Sequence, residues 1–391
     1  MMLVLRFIFM VTLLAVSAYA ARALLRKVNR KSWQSSTVEH IAAALPYLLL
    51  AGAVFWGAGS YLNIAIMKMA GATWTAFLIM ASTILLITLP LSMVLIPVFK
   101  KDESDDDVSV DLKKRTLLKG AVGVAPLLFL GSAAKGVADS FSSVRLPVID
   151  IAVPGLPDAL EGKTILHLSD LHLGYYFGLD HLENTLLAAE KFDPDLVAVT
   201  GDIADDLTLM TDAMKLIGQY KPQTQKFASI GNHEYFRGIN AAVRQIEKGP
   251  IPLLKNGNLS TSVAGVPVVV GGADDPAYLH GDISGFLDDS LSKTFAGAKE
   301  TPFRLLLSHR PSALDVASKH NVNLVLSGHT HAGQVGINGQ SLFSYMNPEA
   351  YLWGVYQKDN ARLYTSAGMG HWFPFRLGAP LEAPLIRLRK A

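Results

Sequence analysis

The chain has 391 residues, no cysteine and a formal net charge of +2; half of it is apolar and only 17% is charged. That length holds one large domain plus a smaller region, or two ordinary domains. The lack of thiols excludes disulfides and thiolate metal sites, and suits an oxidising or a reducing compartment equally.

The mean hydropathy is positive, which is high for a soluble enzyme and places part of the chain in lipid. Residues 1–143 hold 14 Lys/Arg against 8 Asp/Glu, whereas residues 144–391 hold 21 against 25. The C-terminal part therefore has no basic character to attract nucleic acid, and no nucleic-acid partner is expected.

From the N-terminus, residues 3–21 are apolar except for Arg6 and a few small polar groups, long enough to cross a hydrocarbon core of about 30 Å as a helix. Runs at 41–62 and 73–99 repeat the pattern, and a shorter one follows at 120–134. The expectation is a membrane region over 1–143 with three or four transmembrane helices and the lipid bilayer as partner. Arg22, Arg26, Lys27, Arg30 and Lys31 follow the first run, and Lys100, Lys101, Lys113, Lys114, Arg115 and Lys119 follow the third. By the positive-inside rule both basic loops are cytoplasmic. If 120–134 also spans, the C-terminal domain emerges outside the cytoplasm. The stretch Lys114-Arg-Thr-Leu-Leu-Lys119 ahead of that run resembles a twin-arginine export signal with Lys114 at the first arginine position; the alternative is the ordinary basic flank of a membrane helix.

From about Val144 the pattern changes to short apolar runs alternating with helix-like stretches such as Asp180 to Phe192 and Thr208 to Tyr220, which predicts an α/β domain over 144–391. Five predicted strands each end on polar residues. Lys163 to Leu168 leads to Asp170 and His172, and Leu196 to Thr200 leads to Asp202, Asp205 and Asp206. Lys226 to Ile230 leads to Gly231-Asn232-His233-Glu234, Phe303 to Ser308 leads to His309, and Val322 to Ser327 leads to Gly328-His329-Thr-His331-Ala-Gly333. Carboxyl ends of strands are where open α/β sheets bind ligands.

Asp170, His172, Asp202, Asn232, His309, His329 and His331 are all nitrogen or oxygen donors, a set that suits divalent Mn, Zn or Fe. Seven donors exceed one tetrahedral ion and suit two ions sharing a carboxylate. Singly, Asp170 also reads as a helix cap, Asp202 as a turn residue and Asn232 as a left-handed position. The remaining histidines take structural readings, with His371 in Gly368-Met-Gly-His-Trp372 standing apart. Asp274 and Asp275 precede Pro276 as a turn, and Arg376 reads either as a substrate-anion site or as an ion-pair residue.

Asp-x-His, Gly-Asp-x-x-Asp, Gly-Asn-His-Glu, a lone His and Gly-His-x-His in this order resemble the calcineurin-like metallophosphoesterase superfamily. The resemblance covers roughly residues 150–391. It implies a four-layer α/β/β/α sandwich holding two divalent ions, here preceded by a bundle of transmembrane helices. Asp170, His172 and His331 would hold one ion, Asn232, His309 and His329 the other, and Asp202 would bridge them. His233 would protonate the leaving oxygen with Asp205 orienting it, and Glu234 stands where many members have Asp. The closing stretches, Gly328 to Gln334 and Pro374 to Pro380, resemble the membrane-attached bacterial phosphodiesterase subgroup. The expected activity is hydrolysis of a phosphodiester of lipid or envelope material by a metal-bridging hydroxide, on the outer side of the bacterial cytoplasmic membrane. The alternatives are a pyrophosphohydrolase of a nucleotide-linked lipid precursor and a non-enzymatic membrane sensor on the same fold.

Overall fold

The computed structural model describes residues 131–278, 281–347 and 350–391, together with 44, 47, 51–52, 54–59, 62, 64, 66–67, 70–71 and 73–74. The expected span 3–21 lies outside the described residues, as do half of 41–62 and most of 73–99 and 120–134. Among the described residues no helix is long and apolar enough to cross a membrane. The chain divides into two compact units, and the larger, Asp139–Trp372 with Arg376–Ala391, carries all the chemistry below.

Thirteen strands are present among the described residues, in chain order β1 (Val148–Val153), β2 (Thr164–Leu168), β3 (Leu196–Thr200), β4 (Gln225–Ser229), β5 (Gly257–Val263), β6 (Val266–Gly272), β7 (Phe303–Leu307), β8 (Leu324–Ser327), β9 (Gly336–Ile337), β10 (Gln340–Ser341), β11 (Gly354–Lys358), β12 (Ala361–Thr365) and β13 (Leu385–Lys390). After residue 140 the α-helices among the described residues are α1 (Leu179–Ala189), α2 (Met210–Gln219), α3 (Asn232–Phe236), α4 (Ile239–Ile246), α5 (Ile283–Thr294) and α6 (Leu314–Ala317). One sheet runs β1-β13-β2-β3-β4 and another β11-β12-β8-β7-β6-β5, with β9 and β10 forming a separate hairpin. Both large sheets are mixed: β2, β3 and β4 are parallel, as are β6, β7, β8 and β12, while β5 and β11 run against their neighbours and β13 runs parallel to β1 but against β2.

Alternation along each strand decides the layering, because successive side chains leave a strand on opposite faces. In β3, Leu196 and Ala198 join a core with Val268, Val270, Leu305 and Leu324 of the other sheet. Val197 and Val199 instead pack against Leu182 and Leu186 of α1, Met210 and Met214 of α2 and Ile246 of α4. The second sheet does the same, with Leu306, Val325 and Leu363 turned outward onto Leu287 and Leu291 of α5 and Leu314 of α6. The order is helices, sheet, sheet, helices. Every residue of β3 is buried, which explains why it reads as an unbroken apolar run. Each fully buried aliphatic side chain here contributes about 1.5–3 kcal/mol.

The helices follow from spacing. Met210, Ala213, Met214 and Ile217 form one buried stripe of α2 at the i, i+3, i+4, i+7 positions of a 3.6-residue repeat. Tyr220 then turns extended two residues before Pro222, which cannot continue the ladder.

Candidate metal centre

The register aligns the strand ends. Leu168 pairs with Val199, Thr200 with Ser229, and Leu307 with Leu326, so the loops after β2, β3 and β4 meet those after β7 and β8. Asp170, His172, Asp202, His329 and His331 all have positive φ, from 46° to 71°. Left-handed backbone costs a non-glycine residue on the order of 1 kcal/mol. Five strained residues in one place mark loops bent to aim side chains at a common point.

Two clusters result. In the first, His172 Nε2 and His331 Nε2 face each other at 3.1 Å, and His331 Nε2 lies 3.5 Å from Asp170 Oδ1. The second groups Asp202, His309 and His329 with ligand atoms all within 4.8 Å of one another. Asp202 belongs to both: its Oδ2 is 3.2 Å from His309 Nε2 and 3.7 Å from His172 Nε2. Asn232 opens α3, buried, and the next backbone N–H, that of His233, donates to Asp202 Oδ1 at 2.8 Å. The structure thus brings all seven sequence-predicted donors to one place.

The donors fit a pair of cations. Asn232 Oδ1 and His309 Nε2 are buried without a hydrogen-bond partner, a costly state that a cation relieves. His309 Nδ1 donates to Thr200 O at 2.8 Å, which turns its Nε2 lone pair toward Asp202. Burial opposes protonation of His309, yet Asp202, and then Asp170 and Asp275, push its pKa up to about 10. The carboxylates therefore draw positive charge to the place where a metal would replace the proton. Burial, then His309 and Arg310, holds His329 well below the usual imidazole range; burial, then Arg376 and His172, does the same for His331. Neutral imidazole is the ligating form.

Beside the clusters, His233 Nδ1 lies 2.6 Å from Asp205 Oδ1, and its Nε2 is 4.0 Å from Asp202 Oδ2. Asp205 does more than orient His233. Its Oδ2 is 3.3 Å from His172 Nδ1, and Arg237 donates to its Oδ1 at 3.0 Å. His172, Asp205 and His233 are close enough to hold an ion of their own, but the Asp205 oxygens already face ring nitrogens of both histidines, hydrogen-bonded to His233 and at ion-pair distance from His172.

Glu234 braces the site. Its Oε2 accepts from Gly231 N at 2.7 Å and Asp202 N at 3.0 Å, and its Oε1 accepts from Ile203 N at 2.8 Å. The longer glutamate spans the β3 and β4 loops. Glu234→Gln puts an amide donor against backbone N–H groups, so we expect a stability loss of about 1–3 kcal/mol and metal affinity about 10–100-fold weaker, read by denaturant melts and metal titration.

Gly328 is needed for close approach. A Cβ there would run into the Asp170 carboxylate and the Ser169 hydroxyl, and Asp170 also accepts from His329 N at 3.0 Å. Gly328→Ala is expected to displace Asp170 and weaken binding of its ion by at least about tenfold. A titration that still fills both positions at wild-type affinity would contradict this.

Arg310 escaped the sequence reading of the site, and Arg376 takes neither of the two roles that reading offered it, anion site or ion pair. Arg310, directly after His309, is gripped by Asp275 at 2.9 and 3.2 Å and donates to His329 Nε2 at 2.7 Å. Asp275 is thus a support for a candidate ligand as well as a turn residue, whereas Asp274 accepts from Tyr235. Arg376 is fully buried and donates to His331 Nδ1 at 2.7 Å and to the Gly370 and Ala367 carbonyls. It contacts neither solvent nor a carboxylate, so it serves as an imidazole support. His371 is buried between Phe141 and Tyr176 with both ring nitrogens unpartnered, and it joins neither cluster.

Residues 163–333 match the family of calcineurin-like phosphoesterases. The chain is 26% identical over 257 residues to an uncharacterised metallophosphoesterase of Campylobacter jejuni, covering 65% of each chain. It is 26% identical over 297 residues to a transmembrane protein with metallophosphoesterase domain of Bos taurus, covering 72% of this chain and 65% of that one. It thus spans about two thirds of the length of these relatives. A solved calcineurin-like phosphoesterase of Bacillus subtilis aligns at 15% identity with a TM-score of 0.37, over 53% of this chain and 81% of that one.

Proposed function

We propose, from the match of residues 163–333 to the family of calcineurin-like phosphoesterases, that this chain is a membrane-anchored two-metal phosphodiesterase acting on lipid or cell-envelope material. The observation that carries the reading is Asp202 Oδ2, poised between His172 and His309 at 3.7 and 3.2 Å. In this reading Asp170, His172 and His331 hold one ion, Asn232, His309 and His329 the other, and Asp202 both. Bound there, two divalent ions such as Mn, Zn or Fe neutralise phosphoryl oxygens and lower the pKa of water, which supplies the nucleophile.

The chain's own groups complete the reaction. His172 faces Asp205 and His309 the Thr200 carbonyl, acceptors that leave the other ring nitrogen free to ligate, while Arg310 and Arg376, positive neighbours of His329 and His331, help keep those two rings neutral. His233, with Nδ1 fixed on Asp205, turns Nε2 toward the centre, where it protonates the departing alkoxide. Asp205 carries the charge that His233 and His172 share: burial raises its pKa, but the hydrogen bond from His172 and then His233 outweigh that and hold it well below the usual carboxylate range.

Membrane residence is supported by the apolar runs at 3–21, 41–62 and 73–99 and agrees with the Bos taurus relative's being named a transmembrane protein. With 120–134 as a fourth span, loop charges favour a site on the extracytoplasmic side of a bacterial cytoplasmic membrane; a reporter enzyme fused after Ser140 should then be active outside the cytoplasm, and activity inside would reverse the topology.

The reaction itself is tested with the solubilised full chain, an aryl phosphodiester, the matching monoester and added Mn, Zn or Fe. Diester cleavage that disappears in Asn232→Ala is the expected result. Cleavage of the monoester alone would make the protein a phosphatase, and no cleavage of either with both ions bound would end this reading.

A further inference from the structure

Three features remain after the metal centre is accounted for: buried His371, the exposed Phe236, Tyr278 and Trp372 near His233, and an apolar protrusion directly after the last candidate ligands. The protrusion carries an inference furthest. Residues 332–348 contain no Asp, Glu, Lys, Arg or His. Within them β9 and β10 pair as a hairpin through Asn338 and Gly339, both at positive φ, as a two-residue hairpin turn of the mirror-image type requires. A single helical turn, Leu342–Tyr345, follows. Ile337, Leu342, Phe343, Tyr345 and Met346 stand out from it with 61, 45, 43, 76 and 81% of their surface exposed.

Such side chains together display on the order of 600 Å² of apolar surface, at the upper limit for the largest patch of an ordinary monomer. A specific protein interface needs about 800 Å² per partner on a broad face, which a two-residue hairpin and one helical turn do not offer. Their chemistry suits a bilayer interface instead. Aliphatic groups reach acyl chains, Tyr345 and Phe343 are the aromatic type that settles at headgroup depth, and no charge must be desolvated. The same chain carries three runs of membrane-spanning length, so a bilayer is within its reach.

The protrusion is also fixed to the centre. Gly336 N bonds Leu377 O and Leu342 N bonds Val335 O, both at 2.9 Å. Phe343 covers Gly333, where a Cβ would meet its ring at 2.6 Å, two residues from His331. We infer that residues 337–346 form a lipid-docking hairpin that enters the headgroup layer of the bilayer and holds the metal centre at the lipid surface. The inference rests on the membrane residence proposed above and adds which face meets the lipid.

The absence of cysteine gives a clean test in the full chain. Tyr345→Cys and Met346→Cys are each labelled with an environment-sensitive fluorophore, with Leu187→Cys, on the exposed side of α1, as reference. The proteins are reconstituted into phosphatidylethanolamine–phosphatidylglycerol vesicles and floated. At 345 and 346 we expect blue-shifted emission, protection from iodide, and at least about threefold stronger quenching by lipids carrying a nitroxide high on the acyl chain than at 187. Floating protein whose 345 and 346 probes are quenched by lipid no more than the 187 probe overturns the docking face and leaves membrane residence standing. The same holds if they are shielded from iodide as well, since a protein surface would then cover them. Protein that does not float with the vesicles overturns both.

Discussion

Asp202→Ala is expected to lower diester turnover by about 10³-fold or more, because each 1.36 kcal/mol of lost transition-state stabilisation is a factor of ten and shared metal charge supplies several kcal/mol. Asp202 places one oxygen near donors of both clusters, 3.2 Å from His309 Nε2 and 3.7 Å from His172 Nε2, closer to the second cluster than Asp170 Oδ1, which is 3.5 Å from His331 Nε2 and 4.0 Å from His309 Nε2. The change also removes the acceptor of His233 N, so Asp202→Asn is the companion variant: it keeps an oxygen for that bond and discards the charge. Metal content by mass spectrometry should fall from two ions towards one or none in the alanine protein, with the asparagine protein between. Wild-type turnover by Asp202→Ala with both ions bound would show that no carboxylate bridge is needed and that the two-metal assignment is wrong.

His233→Ala is expected to leave metal content intact and to cost about 10²–10⁴-fold in kcat when the leaving group is a poorly acidic alcohol, the range for a lost general acid. With a nitrophenolate leaving group, which departs without a proton, the loss should be far smaller. The contrast follows from position. His233 is bonded through Nδ1 to Asp205 and keeps Nε2 4.0 Å from Asp202, beside the centre and outside both ligand clusters. Asp205→Asn should behave differently, since Asp205 also faces His172 at 3.3 Å, and should weaken metal binding together with the proton transfer. Equal losses for both leaving groups in His233→Ala, or a loss of metal, would remove His233 from the role of acid.

Much of this was legible in the chain. The strands ending at Asp170, Asp202, Asn232, His309 and His329 were readable because each is a short apolar run cut off by Gly, Asp or His, and β3 and β8 are buried on both faces. The stripe of α2 was equally plain. Two sheets were not distinguishable by pattern, since β2 and β7 carry the same kind of apolar residues; the face-to-face packing of Ile165 and Leu196 against Val268 and Leu305 decides it. The N-terminal spans remain readings of hydropathy and loop charge.

Sequence by itself determined the donor set. The order of Asp, His and Asn after successive strands, with no thiol anywhere, settles that a metal centre here uses nitrogen and oxygen, because ligand chemistry belongs to side-chain type and survives any packing. Only the tertiary structure decided which donors share an ion and what supports them. Arg310 carried no local signal and Arg376 reads as an anion-site or ion-pair residue, for an arginine reads the same whether it faces water, a carboxylate or an imidazole. Asp205 could be matched to His233 by motif, but its second contact, to His172, exists because the β2 and β3 loops lie side by side. Contacts between residues as far apart as His331 and Arg376 arise from chain closure, which no local pattern encodes.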